Sequence, residues 1–170
     1  MIKRAAALVL VLVLVVLAGC GQQAGGKGED MDPRQQLEQR PRESEMEERY
    51  LRVLTTFQDR VAAEVGVTWD KEPRRDGGAG CGEPFSGLEA VSFAVRGGAT
   101  VEDFDLADWP AVEAIADDIA QAEGFTTEKV VVVDKPDFKK VSWVDEHGSE
   151  LEVGTQQVLV PVIYGACVLP

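Results

Sequence analysis

From Lys129 to the C-terminus, apolar residues recur with a period of two and short turns separate the segments. Lys129–Asp134 carries valine on both faces, which predicts a central strand. Lys135-Pro136-Asp137 turns the chain. Lys140–Asp145 then alternates Val141 and Trp143 with Ser142 and Val144. Glu146-His147-Gly148 predicts a hairpin connection in which Gly148 takes a positive φ. Leu151–Gln156 and Val158–Tyr164 complete the series, and Pro161 predicts an edge position or a bulge for the last strand. Connections this short favour antiparallel pairing.

The segments before this run read differently. Met46, Tyr50, Val53, Leu54, Phe57, Val61 and Val65 are spaced by threes and fours, the stripe of an amphipathic helix that Gly66 ends. Trp109, Val112, Ile115, Ala116 and Ile119 mark a second helix over Trp109–Glu123, with Pro110 in its first turn and Gly124-Phe125 as its stop. Between the helices, Val67-Thr68-Trp69 starts an extended segment, residues 70–89 form a long loop rich in proline and glycine, and Ala90–Arg96 alternates as a half-buried strand. The expected fold is α+β: a two-layer sandwich whose mostly antiparallel sheet, of about five or six strands, buries two amphipathic helices on one face. Trp69, Trp109 and Trp143 belong to its core or its margin.

The N-terminus obeys other rules. Lys3 and Arg4 precede an unbroken apolar run from Ala5 to Val16, which closes in Leu17-Ala18-Gly19-Cys20. A span needs roughly 20 apolar residues, so this shorter run predicts a signal peptide over 1–19, with a short retained anchor as the alternative. Small residues leading into a cysteine resemble the lipobox of bacterial lipoproteins. That resemblance implies acylation of Cys20, cleavage before it, and attachment to the extracytoplasmic face of the cell membrane. From Gly21 to Glu45 there is almost nothing apolar, so residues 20–45 read as the lipidated cysteine and a disordered tether. One globular domain is expected over 46–170.

Lys3 and Arg4 leave with the leader, so 15 basic residues face 30 acidic ones and the mature net charge is −15. Such a surface repels nucleic acid and anionic headgroups, which excludes a nucleic-acid partner. With Cys20 assigned to lipid, Cys81 and Cys167 remain as an even pair in an oxidising compartment. A disulfide between them would close a long loop and pin the C-terminus. Two reduced thiols, one of them a nucleophile beside His147, are the alternative.

Catalytic patterns are missing. There is no nucleophile elbow and no paired-histidine zinc motif, and His147 is the chain's one histidine. Gly78-Ala79-Gly80-Cys81-Gly82 lacks the context of a phosphate cradle. Glu102, Asp103, Asp105 and Asp108 cluster before the second helix; Asp103, Asp105 and Asp108 are candidate calcium ligands, although the glycine and closing glutamate of an EF-hand are absent and carboxylates near a helix start are favourable through its dipole alone. His147 reads as an exposed turn residue, and Asp117 and Asp118 as ordinary charge on the outer helix face. No cofactor is implied.

Several short motifs together resemble the LppA-like lipoproteins of actinobacteria: the lipobox ending in Cys20, Glu48-Arg49-Tyr50, Gly80-Cys81-Gly82, Asp108-Trp109-Pro110, Gly124-Phe125, the Val131–Pro136 segment and the terminal Cys167-Val168-Leu169-Pro170. The resemblance implies an envelope location, lipidation and a Cys81–Cys167 pair, and no activity. The expected function is a non-catalytic, membrane-tethered module that binds another envelope protein. Two alternatives are a carrier of a small apolar ligand or lipid, and an envelope hydrolase using Asp103, Asp105 or His147.

Overall fold

In the computed structural model, residues 31–125 and 128–170 are described, within a unit running Met31–Pro170. Residues 1–30, on which the expected signal peptide, Cys20 and the part of the expected tether before Met31 fall, lie outside the described residues. The first helix, α1 (Pro33–Glu38), is capped by the Asp32 carboxylate, which accepts the N–H groups of Arg34 and Gln35. Pro33 occupies the first turn, where a missing N–H costs nothing.

This helix shortens the expected tether. Residues 31–45 belong to the folded body, because Leu37 is buried in a small satellite core with Phe85 and Ala90. One leucine, contributing about 1.5–3 kcal/mol, does not offset the ordering of six residues at about 1–2 kcal/mol each. The rest comes from the partners around it. Arg40 donates to the Cys167 carbonyl at 2.7 Å and lies 4.9 Å over the Phe85 ring, and the Glu43 N–H meets the Leu169 carbonyl at 2.9 Å.

Helix α2 (Glu43–Val65) starts with the Glu45 carboxylate accepting the Arg42 N–H, and stops at Gly66, whose φ of 82° is left-handed. Its stripe from Met46 to Val61 is fully buried. Helix α3 (Trp109–Ala122) follows a single 3₁₀ turn, Leu106–Asp108, and buries Trp109, Val112, Ala116 and Ile119. Both helices feed the same core as the sheet.

The strands are β1 (Arg74–Gly80), β2 (Val91–Arg96), β3 (Val130–Lys135), β4 (Phe138–Val144), β5 (Glu150–Thr155) and β6 (Leu159–Tyr164). They form one open antiparallel sheet in the order β1-β2-β6-β5-β4-β3. Cross-strand register puts Val95, Ile163, Leu151 and Trp143 in one row beneath the helices. The opposite face carries Ala94, Tyr164, Glu150 and Val144 in one row, and Arg96, Val162, Glu152 and Ser142 in the next. The architecture is the expected two-layer α+β sandwich.

Three placements differ from the sequence reading. Arg74–Gly80 is an edge strand rather than part of a loop, held from outside by Arg75, which pairs with Glu43 at 2.5 Å and Glu47 at 2.8 Å and lies 4.4 Å over Phe93. The valine-rich β3 is an edge strand, not a central one. The Pro161 strand, β6, lies in the middle of the sheet. Its proline is tolerated because β2 ends there: the last β2–β6 partners are Arg96 and Val162, and the Gly97 N–H then donates to the Pro161 carbonyl at 3.0 Å. The missing donor of Pro161 therefore faces the end of a ladder rather than its middle.

Candidate functional site

The turn between β4 and β5 holds a dense polar cluster. Asp145 is buried, and one carboxylate oxygen accepts the N–H groups of His147 at 2.9 Å and Ser149 at 2.8 Å. The other accepts Arg49 from α2 at 2.8 Å. Gly148 takes a φ of 89°, which closes the turn. The Tyr50 hydroxyl lies 2.6 Å from Ser149 Oγ, and both residues are fully buried. Burial is the main reason the Tyr50 phenol holds its proton above the ordinary range, with the Ser149 hydrogen bond working against it.

Aspartate, histidine and serine thus lie within five residues, yet they do not form a relay. Asp145 is committed to Arg49 and two backbone donors, and Ser149 Oγ to Tyr50 and the Ala166 N–H. His147 Nε2 is 3.7 Å from Glu146. It lines an open groove of about 660 Å³ with Arg40, Glu48, Arg49 and Arg52, whose guanidinium groups are already bound to Cys167, Asp145 and Glu123.

The acidic loop before α3 is elsewhere. Asp105 caps the 3₁₀ turn by accepting the Ala107 N–H at 2.9 Å, and the loop is fastened by the Phe104 N–H to the Gln157 carbonyl at 2.7 Å. Gln157 follows β5 while His147 precedes it. A strand of six residues separates the two ends, roughly 20 Å, so Asp103 and Asp105 do not converge with His147. Among the described residues, no three Asp, Glu, His or Cys side chains gather as a metal site, Asp103, Asp105 and Asp108 included.

Cys81 and Cys167 are joined, at a sequence separation of 86 and with their Cα atoms 6.0 Å apart. The bond lies against Leu37, Phe85 and Leu169, and it consumes both thiols, so neither is a free nucleophile for His147 to activate.

Asp117, read from sequence as plain surface charge, is a structural acceptor. It takes the Trp143 indole N–H at 3.0 Å and Lys129 at 3.1 Å. Lys129 also reaches Glu113 at 2.5 Å, and these carboxylates, Glu113 foremost, hold its proton above the ordinary lysine range. The signal that could have found Asp117 is the tryptophan: a buried indole needs an acceptor.

The remaining feature is apolar. Val130, Val131 and Val132 on the β3 edge are 51%, 57% and 47% exposed. On the open face, Val144 and Tyr164 are also exposed, and a shallow groove of about 430 Å³ is lined by Arg96, Lys140, Glu152, Val160 and Val162. The face is mixed rather than uniformly charged, its central ion pair being Lys140–Glu152 at 2.9 Å.

The fold is thus an open antiparallel α+β sheet with one helix-covered face, a disulfide near its C-terminus and a bare valine edge. Residues 21–170 match the model of the LppA family, described as a lipoprotein confined to pathogenic Mycobacterium. The chain belongs to this LppA lipoprotein family, and membership makes it an envelope-associated lipoprotein. Two crystal structures share the fold. LppA of Mycobacterium tuberculosis superposes with a TM-score of 0.55 at 14% identity, over 79% of this chain and 82% of that one. A DUF4853 family protein of Actinomyces odontolyticus gives 0.51 at 16% identity, over 79% and 72%. No curated protein matches the chain.

Proposed function

We propose that this chain is a lipid-anchored module on the extracytoplasmic face of the cell membrane, acting by binding another protein and not by catalysis. The observation that carries the reading is the β3 edge. Three adjacent valines stand about half exposed there, on a strand with one side unpaired. Natural sheets cover or charge such edges, because unpaired N–H and C=O groups beside β-branched side chains recruit other strands. An uncovered apolar edge supports a surface built for pairing, in the manner of strand addition. Val144, exposed on the neighbouring strand, widens the footprint on the open face.

Two further points support the reading. Of the polar groups most like a catalytic set, Asp145 and Ser149 are occupied in holding α2 to the turn, and His147 joins them only through its backbone N–H. The anchor is Cys20, whose diacylated sulfur would provide the two chains that stable attachment needs. With α1 in the folded body, Met31 is eleven Cα steps from Cys20, which covalent geometry limits to about 40 Å. Such tethering raises the effective concentration of membrane-bound partners.

Photo-crosslinking in intact cells tests this. A crosslinkable residue at Val132 should give one discrete adduct, which Val131→Lys suppresses, while the same residue at Glu64 on the exposed side of α2 gives none. No adduct from Val132, or equal adducts from both positions, would overturn the reading.

A further inference from the structure

We propose that the partner of β3 is a second copy of this chain, paired antiparallel through the same strand so that two six-stranded sheets join across a two-fold axis. The proposal rests on the interaction reading above and names its occupant.

The charge pattern is the first argument. Glu128-Lys129-Val130-Val131-Val132-Val133-Asp134-Lys135 is complementary to itself when reversed. Set antiparallel about its midpoint, it places Glu128 opposite Lys135, Lys129 opposite Asp134, Val130 opposite Val133, and Val131 opposite Val132. Every cross-strand pair is then opposite in charge or apolar on both sides, the two kinds that stabilise neighbouring strands.

Face matching is the second argument. In a regular strand this register fails, because a two-fold axis normal to the sheet would put each pair's side chains on opposite faces. The strand is not regular. Val131 pairs with Val141 and Val133 with Lys140, so Val132 is an extra, bulged residue. Partners share a face, so Val130 and Val133 lie with Ser142 and Lys140 on the open side, and Val131 and Asp134 lie with Val141 and Lys139 on the helix side. Lys129 is on the helix side too, at Glu113 and Asp117 of α3. The bulge restores the parity: Val130 meets Val133 on the open side and Lys129 meets Asp134 on the helix side, as the symmetric pair demands.

The third argument is what is left unpaired. Lys129 has carboxylate partners within its own chain and Asp134 has Lys139. Among the described residues, Glu128 and Lys135 join no ion pair, and both are exposed. They are the two ends of the proposed contact. Edge pairing buries little surface, so the contact is weak in dilute solution; copies anchored in one membrane meet at far higher effective concentration.

The test is energy transfer between donor- and acceptor-labelled full-length acylated protein in lipid vesicles. Unlabelled protein should compete the signal away. Glu128→Lys and Lys135→Glu each convert two symmetry-related attractive pairs into repulsive ones and should weaken association about tenfold. The exchange E128K/K135E should restore it to within about twofold. Carbodiimide should couple Glu128 to Lys135, a link that must be intermolecular because seven extended residues span about 23 Å. Absent transfer, indifference to the single reversals, or no rescue by the exchange overturns the proposal. If transfer is absent but Val132 still crosslinks to a different protein, only the choice of partner falls; if Val132 crosslinks to nothing, the interaction reading falls with it.

Discussion

Arg49 donates to Asp145 at 2.8 Å across 96 residues of sequence, and the same carboxylate organises the β4–β5 turn. The Arg49 guanidinium also reaches the Glu123 carbonyl at the end of α3 and lies 5.0 Å over the Phe125 ring. One cation therefore joins both long helices to the sheet. Asp145 has 1% of its side chain exposed, so its removal leaves a partly buried charge and two turn N–H groups without an acceptor. Asp145→Ala should cost about 3–5 kcal/mol, read as a lower urea midpoint. Arg49→Met should cost less, because a methionine keeps the packing on Phe125. The double variant should be less destabilised than the sum of the singles, since the first change already removes what the second would break.

Reduction should act locally before it acts globally. The disulfide lies under Leu37, and Arg40 bonds the carbonyl of Cys167 itself. In the chain-entropy model a loop of this size contributes about 4–5 kcal/mol. The double substitution Cys81→Ser/Cys167→Ser should lower the melting temperature and, well below it, expose the Arg34–Gln35 bond to trypsin while the α2 arginines stay protected. Simultaneous cleavage of all sites would show that α1 is not a separately released unit.

Much of this architecture is legible in the residues, and the failures share a cause. The stripes of α2 and α3 and the alternation of β2, β4 and β5 are visible because each element buries one face. β1 is invisible because Arg74–Gly80 buries nothing; its place is fixed by Arg75 gripping Glu43 and Glu47, a contact no local window contains. β3 misleads because valines on both faces signal double burial, whereas here they are exposed on an edge. Pro161 misleads because the rule against proline concerns a donor needed in mid-ladder, and β2 stops one residue too soon to need it. α1 did carry its signal in Asp32-Pro33, but a lone Leu37 cannot announce the pocket that receives it.

Alkaline pH should loosen the fold through Tyr50. Burial holds its proton more tightly in the folded chain than in the unfolded one, where tyrosine ionises near pH 10. The folded state thus binds more protons, so this contribution is complete below about pH 10 and disappears as pH rises through the folded value. Lys129, whose proton is also held more tightly when folded, acts in the same direction. Tyr164→Phe leaves Tyr50 as the one tyrosine of the chain. In that variant tyrosinate absorbance should appear late and coincide with unfolding; ionisation without loss of structure would contradict the assignment.

Two glycines should resist replacement for reasons of space. A Cβ on Gly98 would lie 2.3 Å from the Lys71 carbonyl oxygen, and one on Gly165 would lie 2.7 Å from that of Phe93. Both obstacles are backbone and neither can rotate away. Gly98→Ala and Gly165→Ala should each cost about 1–3 kcal/mol, while Gly80→Ala, with nothing within 4 Å, should leave the melting temperature within a degree or two of the parent.

Trp143 offers a spectroscopic reading of the join between helix and sheet. Its ring is buried, and its indole N–H points at Asp117 on α3 at 3.0 Å. Asp117→Leu removes that acceptor and also one of the two carboxylates on Lys129. Leaving a buried donor unpaired should cost about 1–3 kcal/mol. Asp117→Asn keeps an acceptor oxygen and should recover most of that loss, although Lys129 remains short of one negative partner. With Trp69 and Trp109 replaced by phenylalanine, the emission of Trp143 should change in the leucine variant and return towards the parent in the asparagine one. Equal destabilisation by both would mean that the charge on Lys129, rather than the indole, is what Asp117 serves.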